Sequence, residues 1–432
     1  MQANQVLSLW GGFECTINRV GDRYHDQLEY SGHDERIEDL DLIADLGIRC
    51  LRYPVLWERS EPALGVERFG WADQRLARLQ ELGIEPIVGL LHHGSGPRYT
   101  SLLDPNFPTK LAGYARRVAE RYPTLERFTP VNEPLTTARF SGLYGHWYPH
   151  GRDDRTFVKS LLNQCKGTCL AMQEIRNVNP GAKLVQTEDM GFTRSTQELT
   201  YQAEFDNQRR WLSLDLLAGH VHAEHPLYDY LLDAGASRRD LDFFLEHPCP
   251  PDLVGLNYYV TSERFLDGRV ELYSPEIVGG NGRDRYVDVE AVRVCADGLL
   301  GPTPLLLEAS ARYGRPVAIT EAHLGCASAQ QIRWLEYVWN AALAARELGA
   351  DVRAVTVWAL LGAYGWDKLA TQGPCSYEAG TFDVSSGVAR ETPLTHFVRM
   401  LARGEAHETE VGWWELEARL LYEPHESESR AA

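Results

Sequence analysis

The 432-residue sequence lacks the features by which membrane and secreted proteins are usually recognised. Its longest nearly apolar run, Ala354 to Trp366, is shorter than the roughly 20 residues that cross a bilayer. The first residues do not show the cationic, apolar and small-residue parts of a secretory signal. There is also no Asn-x-Ser/Thr sequon. We therefore expect a cytoplasmic protein with no membrane partner.

Positive charge is scarce as well. The chain has 43 Lys and Arg residues against 61 Asp and Glu residues, for a formal charge of −18, and it contains no basic run. A surface of this sign repels nucleic acids and anionic membranes at long range, so we expect no nucleic-acid partner. The oligomeric state is not readable from the sequence.

Clustered metal-binding residues are missing too. The eight cysteines are scattered through a long chain, which is typical of reduced thiols rather than of a disulfide framework. Cys165 and Cys169 are spaced to share one helix face, but no further Cys or His accompanies them. The sequence predicts neither a metal nor another cofactor.

What the sequence has is an alternation of short apolar runs with amphipathic, helix-length segments, which favours a parallel sheet with crossover helices. Eight such units predict an α/β fold, a single (β/α)8 TIM barrel with elaborated βα loops over residues 1–432. The predicted strands are Leu7–Trp10, Cys50–Tyr53, Pro86–Leu91, Phe128–Asn132, Lys183–Thr187, Leu253–Asn257, Val317–Thr320 and Ala354–Trp358.

Helical patterns lie between these strands, and several end in Leu-Gly or Tyr-Gly, a usual helix stop. The weakly patterned segment Val260–Thr303 predicts an elaborated loop after the sixth strand, and residues 404–432 predict a partly ordered tail. The predicted helices are Asp34–Leu46, Asp73–Leu82, Thr109–Arg121, Phe157–Asn177, Leu305–Arg312 and Gln330–Leu348.

Two glutamates directly follow strand-like runs. Glu133 ends the fourth predicted strand, and Glu321 ends the seventh. In such barrels the reacting groups gather at the carboxyl ends of the strands, and strands four and seven face each other across the mouth. Carboxylates about 5 Å apart are the pair that a retaining glycosidase uses. A single glutamate at a strand end more often caps the following segment or forms a salt bridge at the rim of the barrel, but two glutamates on these two strands favour catalysis.

The strings around both glutamates resemble glycoside hydrolase family 1, and the resemblance covers nearly the whole chain. Thr129-Pro-Val-Asn-Glu-Pro134 is similar to the family's acid/base string, Thr-x-Asn-Glu-Pro, in which Asn132 takes the place that holds the sugar 2-hydroxyl. Ile319-Thr-Glu321 resembles the nucleophile string, which usually continues Asn-Gly. Here it continues Ala322-His323.

The resemblance implies a retaining β-glycosidase similar to β-glucosidases and β-galactosidases, acting on a small saccharide or glycoside. Glu133 would be the general acid/base and Glu321 the nucleophile that forms a covalent glycosyl-enzyme. The positive charge of Arg52 would keep Glu321 ionised.

Other strand ends resemble the family in the same order. The string Leu51 to Trp57 is similar to the motif that supplies the Arg, Leu90-Leu-His92 to the motif that supplies a sugar-binding His, and Asp252 to Tyr259 to the sixth-strand string. His93 leaves a one-residue ambiguity in the second of these. The substrate-binding residues implied by the resemblance are Arg52, His92, Asn132, Asn257, Tyr259, Trp358 and Trp366.

The resemblance fails at two places that bind the sugar. The family's eighth-strand loop carries a Glu before its Trp, where this chain has Gly365-Trp366, so we expect altered glycone recognition. The Gln after the first strand has no clear equivalent, with Glu14 and Asn18 as the nearest polar candidates. We expect three of five strand-end tryptophans to lie in the sugar site; the five are Trp10, Trp57, Trp147, Trp358 and Trp366.

Three alternatives stay open at this point. A transglycosidase would use the same intermediate with an acceptor sugar or alcohol in place of water. A non-catalytic carbohydrate-binding barrel would have lost function at Gly365, although both glutamates, Arg52 and Tyr259 count against it. A metal-dependent hydrolase is disfavoured because His92 and His93 alone point in different directions.

Overall fold

The computed structural model describes residues 6–405 and 410–425. Eight parallel strands form a closed barrel, which confirms the predicted fold class. These strands are β1 (Ser8–Gly12), β2 (Cys50–Pro54), β3 (Glu85–Gly89), β4 (Arg127–Thr129), β5 (Lys183–Asp189), β6 (Leu253–Tyr258), β7 (Val317–Ala322) and β8 (Val352–Val357).

The barrel closes through β1, which pairs in parallel with β8 on one side and with β2 on the other. Strand β4 is shorter than predicted and stops at Thr129, because Pro130 cannot donate to the ladder. Residues 130–133 therefore leave the sheet early. An isolated parallel bridge between His92 and Asn132 continues the pairing beyond β3 and β4.

Helices connect the strands, and each of the six predicted ones is present with shifted ends. Gly314 ends the helix before β7 in a left-handed conformation, as its Tyr-Gly pattern predicts. The α-helices are α1 (Gln27–Ser31), α2 (Asp39–Asp45), α3 (Trp57–Ser60), α4 (Gly70–Glu81), α5 (Phe107–Arg121), α6 (Pro134–Ala138), α7 (Asp154–Val178), α8 (Thr200–Arg209), α9 (Leu212–Ala218), α10 (Tyr228–Asp233), α11 (Arg238–Glu246), α12 (Pro302–Tyr313), α13 (Ser328–Glu347) and α14 (Pro393–Ala402).

The segment after β6 is elaborated, as expected, but it is not an irregular loop. Its strands Arg264–Asp267, Gly279–Gly280 and Arg285–Glu290 join Thr193–Ser195, which follows β5, in a four-stranded sheet. Phe265, Val287 and Val289 form its own apolar cluster. The sequence pattern is weak here because the strands are short and pair across long loops.

The outer parts of the chain pack on the barrel. Trp414 lies 4.9 Å from Trp334 of α13, measured between ring centroids. Parts of the predicted tail, residues 406–409 and 426–432, lie outside the described residues, and the single-domain assignment of 1–432 stays a prediction. Among the described residues no helix has the length and apolar character to span a membrane. All eight cysteines are unpaired, and six of them are buried.

Candidate active site

Glu133 lies between β4 and α6, in a backbone conformation that is rare for a residue with a side chain. Its φ is 46°, in the left-handed region, where strain of about 1–3 kcal/mol is often found at functional sites. Its backbone N–H donates to the carbonyl of Thr187, at 3.2 Å. The side chain is buried, and its Oε1 accepts a 2.5 Å hydrogen bond from the amide of Asn257.

Glu321 lies within β7, just after an irregularity in the strand. Ile319 pairs with Leu256 and Glu321 with Asn257, so one extra residue, Thr320, is inserted in the register. Such bulges redirect side chains next to functional sites. The redirected Glu321 carboxylate meets two donors, Arg52 Nη1 at 2.6 Å from Oε1 and the hydroxyl of Tyr259 at Oε2.

The surroundings of the two carboxyl groups separate their pKa values. Burial and the charge of Glu321 hold the pKa of Glu133 well above its ordinary value. Burial also raises the pKa of Glu321, to about 7, against the opposing effects of Arg52 and Tyr259. Arg52 favours the ionised form of Glu321, and burial opposes it. Glu321 nevertheless ionises before Glu133.

Arg52 and Asn132 form the link between the two glutamates. Arg52 Nη2 donates to Asn132 Oδ1 at 2.6 Å, and Thr187 Oγ1 donates to the same oxygen at 2.7 Å. The amide oxygen of Asn132 is thus occupied by protein donors. Its Nδ2 group points to the other side, 3.3 Å from His92 Nε2, where it is a candidate donor to a ligand.

Both histidines of the ambiguous pair border this site. His92 stacks on Trp358, with ring centroids 5.5 Å apart, whereas His93 Nε2 lies 3.8 Å from Glu133 Oε2. Burial lowers the pKa of His92 well below its ordinary value and that of His93 to about 3, so both rings are neutral. The sequence singled out His92, and the structure adds His93.

Three of the five tryptophans gather around these histidines. Trp147 and Trp366 lie 5.2 Å and 5.7 Å from the ring of His93, and Trp358 lies under His92. The two others are elsewhere. Trp10 belongs to a separate apolar cluster with residues of neighbouring strands. Trp57 stacks on Tyr114 of α5.

Glu188, at the end of β5, is a residue that sequence reasoning missed. Its carboxylate accepts the backbone N–H groups of Leu135 and Thr136 and the hydroxyl of Ser213. It therefore holds the first turn of α6, directly after Glu133. Its position after a predicted strand was the available signal. No group of three or more residues suited to holding a metal occurs among residues 6–405 and 410–425.

Comparison with known proteins decides the family. The model of glycosyl hydrolase family 1 matches residues 4–372. The chain belongs to glycosyl hydrolase family 1. It is thus a glycoside hydrolase, as the motifs predicted.

The family relatives are distant in sequence. Beta-glucosidase 47 of Arabidopsis thaliana is 23% identical over 418 residues, which cover 84% of this chain and 74% of that protein. A bifunctional beta-D-glucosidase/beta-D-fucosidase of Bifidobacterium breve is 24% identical over 411 residues, covering 84% and 86%. The beta-glucosidase from Thermotoga maritima, solved with azafagomine, aligns with a TM-score of 0.74 at 18% identity, covering 94% of this chain and 99% of that one.

The two segments that depart from the family pattern, the loop after β1 and the loop after β8, are in contact. Gly365 has a φ of 71°, and a Cβ built there would make only ordinary van der Waals contacts, with no neighbour closer than 3.6 Å. The next residue, Trp366, donates its indole N–H to Glu14 Oε2 at 3.0 Å. Asn18, the other polar candidate, donates to the carbonyl of Ala370 at 2.9 Å.

Proposed function

We propose that this family member is a retaining, exo-acting β-glycosidase that hydrolyses β-O-glycosidic bonds by double displacement. The proposal rests on the different surroundings of the two glutamate side chains. Glu321 is held by a guanidinium and a phenol, which favour a carboxylate, whereas Glu133 is buried against an amide and beside that carboxylate. One group is suited to attack and the other to proton donation.

In the first step Glu321 attacks the anomeric carbon and forms an ester bond to it. The bond from that carbon to the leaving oxygen breaks, and Glu133 transfers its proton to this oxygen. Arg52 and Tyr259 keep the Glu321 carboxylate oriented until the bond forms. Asn132 offers its Nδ2 group to a sugar hydroxyl, and Trp358 offers a ring face below the sugar.

In the second step the charge on Glu321 is gone, which lowers the pKa of Glu133. The ionised Glu133 now takes a proton from water, and the water oxygen bonds to the anomeric carbon as the ester bond breaks. Two inversions leave the configuration retained.

Glycone recognition in this chain differs from the family pattern at Gly365. Named relatives act on β-glucosides and, in one case, on β-fucosides as well, so these sugars are the first candidates. Loss of a charged acceptor removes about 1.5–3 kcal/mol for each strong hydrogen bond. We therefore propose β-glucosidase- or β-galactosidase-like activity with altered glycone selection.

The decisive test is azide rescue on the best substrate of a nitrophenyl β-glycoside panel comprising glucoside, galactoside, fucoside, xyloside, mannoside and glucuronide. Glu321→Gly is expected to lose activity and to regain release of nitrophenol with azide, giving the α-glycosyl azide. Glu133→Ala with azide is expected to give the β-glycosyl azide, because azide then attacks the covalent intermediate. Exposed Glu81→Gly is the control and should behave as wild type.

Two results would overturn the proposal. If azide rescues Glu321→Gly but gives the β-glycosyl azide, Glu321 is not the nucleophile. A folded wild-type protein that cleaves no glycoside of the panel but binds the sugars, with binding unchanged in Glu321→Gly, would favour the binding-only barrel.

A further inference from the structure

Arg139 is a cation near the reacting groups that the double displacement does not use. It begins a single π-helical turn, Arg139–Leu143, which directly follows α6, and such turns are frequent at functional sites. The guanidinium is half-buried, and its one hydrogen bond within residues 6–405 and 410–425 runs from Nε to the hydroxyl of Tyr144, at 3.3 Å. No carboxylate of these residues forms an ion pair with it. Because a guanidinium has five N–H donors, most of its donors have no protein acceptor.

The hydroxyl of Tyr144 is a second donor of this kind. It accepts the bond from Arg139, and its own proton has no acceptor in the described part of the chain. Burial raises the pKa of Tyr144, but the positive charges of Arg139 and Arg209 outweigh burial and hold this pKa below its ordinary value. The surroundings of the Tyr144 oxygen therefore favour negative charge.

The acidic groups whose charges act on Arg139, Asp189 and Asp206, are bound to other residues. Asp189 Oδ1 accepts the hydroxyl of Ser262 at 2.5 Å, and Asp206 Oδ1 accepts Arg209 Nη2 at 2.7 Å. A charge taken out of water is costly unless it is paired. In a chain with a formal charge of −18, a cation without an ion pair is an exception, and Arg139 is thus suited to an anion from outside the chain.

Arg139 lies on the Glu133 side of the reacting groups. Asp189, at the end of β5, pairs in register with Asn257, whose amide donates to Glu133, and the charge of Asp189 acts on both Glu133 and Arg139. Trp358, which offers its ring face to the sugar, follows β8, and β7 and β6 separate β8 from β5. Since Glu133 protonates the leaving oxygen, the aglycone extends past Glu133 toward the β5 side, where Arg139 lies.

We propose that Arg139 and Tyr144 form an aglycone-binding site for a carboxylate, so that the preferred substrates are β-glycosides of acidic aglycones. This inference rests on the proposed function. The fork of a guanidinium matches the two oxygens of a carboxylate, and the Tyr144 hydroxyl adds a further donor. A carboxylate also carries the single negative charge that would balance Arg139, whereas a phosphate group carries about two.

A purely structural role makes a different prediction. The guanidinium of Arg139 lies 5.6 Å from the ring centroid of Tyr144, so Arg139 could act only by holding the π-helical turn in place. In that case its replacement would slow the cleavage of every substrate by the same factor, whatever the charge of the aglycone.

The test compares acid and ester aglycones on the best glycone of the nitrophenyl panel. We measure kcat/KM of wild type and Arg139→Gln on the β-glycosides of 3- and 4-hydroxybenzoate and of their methyl esters. The ratio of wild type to variant on each substrate cancels the different leaving abilities of acid and ester. This ratio is expected to be about 10- to 100-fold larger for at least one acid than for its ester, the range of a charge-assisted hydrogen bond.

The matched control is Arg121→Gln, because Arg121 also lies beside a tyrosine, 6.0 Å from the ring centroid of Tyr122, but at the end of α5 that precedes the start of β4. It is therefore at the opposite end of the barrel from Glu133, and its ratios should be the same for acids and esters.

Two further variants of the site separate its donors. Tyr144→Phe keeps the ring and removes only the hydroxyl, and it should also lose more on the acid than on the ester. Should Arg139→Gln not fold, Arg139→Lys is measured on the same substrates. It retains the charge and removes the fork, and it is expected to lose part of the acid preference.

The outcomes separate the two proposals. Equal ratios for acids and esters in Arg139→Gln would overturn the carboxylate site while leaving the glycosidase intact. If wild type cleaves no glycoside, the proposed function fails, and titration calorimetry with the same acids and esters decides the carboxylate site by itself. Tighter binding of an acid by wild type that is lost in Arg139→Gln would support the site, and binding that does not depend on Arg139 would overturn it.

Discussion

Replacing Tyr259 by Phe should move the pH dependence of the reaction in a known direction. The Tyr259 hydroxyl donates to Glu321 Oε2, and this bond favours the ionised nucleophile, which lowers its pKa. Phe keeps the ring and removes only the donor. Because attack requires an ionised Glu321, a higher pKa shifts the acidic limb of the rate profile to higher pH.

The size of the shift follows from the strength of the lost bond. A hydrogen bond to a charged group contributes about 1.5–3 kcal/mol, and a tenfold change in ionisation corresponds to about 1.4 kcal/mol. The pKa of Glu321, about 7 in the wild type, is therefore expected between about 8 and 9 in Tyr259→Phe. Well below pH 7 the ionised fraction, and with it kcat/KM, falls about 10- to 100-fold.

The measurement is kcat/KM for a nitrophenyl glycoside from pH 5 to 10, which reports the groups of the free enzyme. Tyr258→Phe is a matched control, because the buried Tyr258 hydroxyl donates to a different carboxylate, Glu263 Oε1, at 2.8 Å. Its acidic limb should coincide with that of wild type. An acidic limb in Tyr259→Phe that is unmoved, or moved to lower pH, would refute the assignment of this limb to Glu321.

Three further predictions concern the acid Glu133, Gly365 in the loop after β8, and the buried carboxylate Asp215. Glu133→Ala should slow substrates with poor leaving groups much more than dinitrophenyl substrates, since proton donation helps only the former; an equal loss across leaving groups would contradict its role as acid. Gly365→Ala should lower the free energy of unfolding by about 1 kcal/mol, because its φ is 71°, and an unchanged midpoint of thermal unfolding would argue against strain there. Asp215→Asn should lower the free energy of unfolding by about 3 kcal/mol at pH 7, because it breaks a buried two-point ion pair with Arg312. Burial raises the pKa of Asp215, but hydrogen bonds from His220, His225 and Arg312 outweigh burial and hold the pKa below its ordinary value. The stability that ionised Asp215 contributes is therefore present above about pH 4 and is lost as pH falls further. A difference in unfolding free energy between wild type and Asp215→Asn that persisted unchanged in strong acid would contradict this prediction.

The barrel was predictable because its signals are local. Each strand is a short buried run followed by a helix pattern, and parallel βα units of this kind have few ways to close. The sheet that includes Arg264–Asp267 and Arg285–Glu290 was not predicted. Its strands are short, and Arg264–Asp267 pairs both with Arg285–Glu290 and with Thr193–Ser195, about 70 residues earlier along the chain.

The positions of the two glutamates were also predictable, because the end of a parallel strand fixes the end of the barrel at which a side chain lies. Their protonation was not. Only the folded chain shows that burial raises the pKa of Glu321 despite Arg52. The same holds for His93 and for Glu188, since their roles depend on which neighbours the loops bring to them.

By itself, then, the sequence determined the fold class, the order of the strands and the two carboxylates at the barrel mouth, because each of these follows from residues adjacent in the chain. Tertiary structure alone decided what surrounds them. Glu14 and Trp366 are 352 positions apart and yet share a hydrogen bond, and Asn257 contacts Glu133 across 124 positions. Such contacts depend on barrel closure and loop packing, which no local pattern specifies.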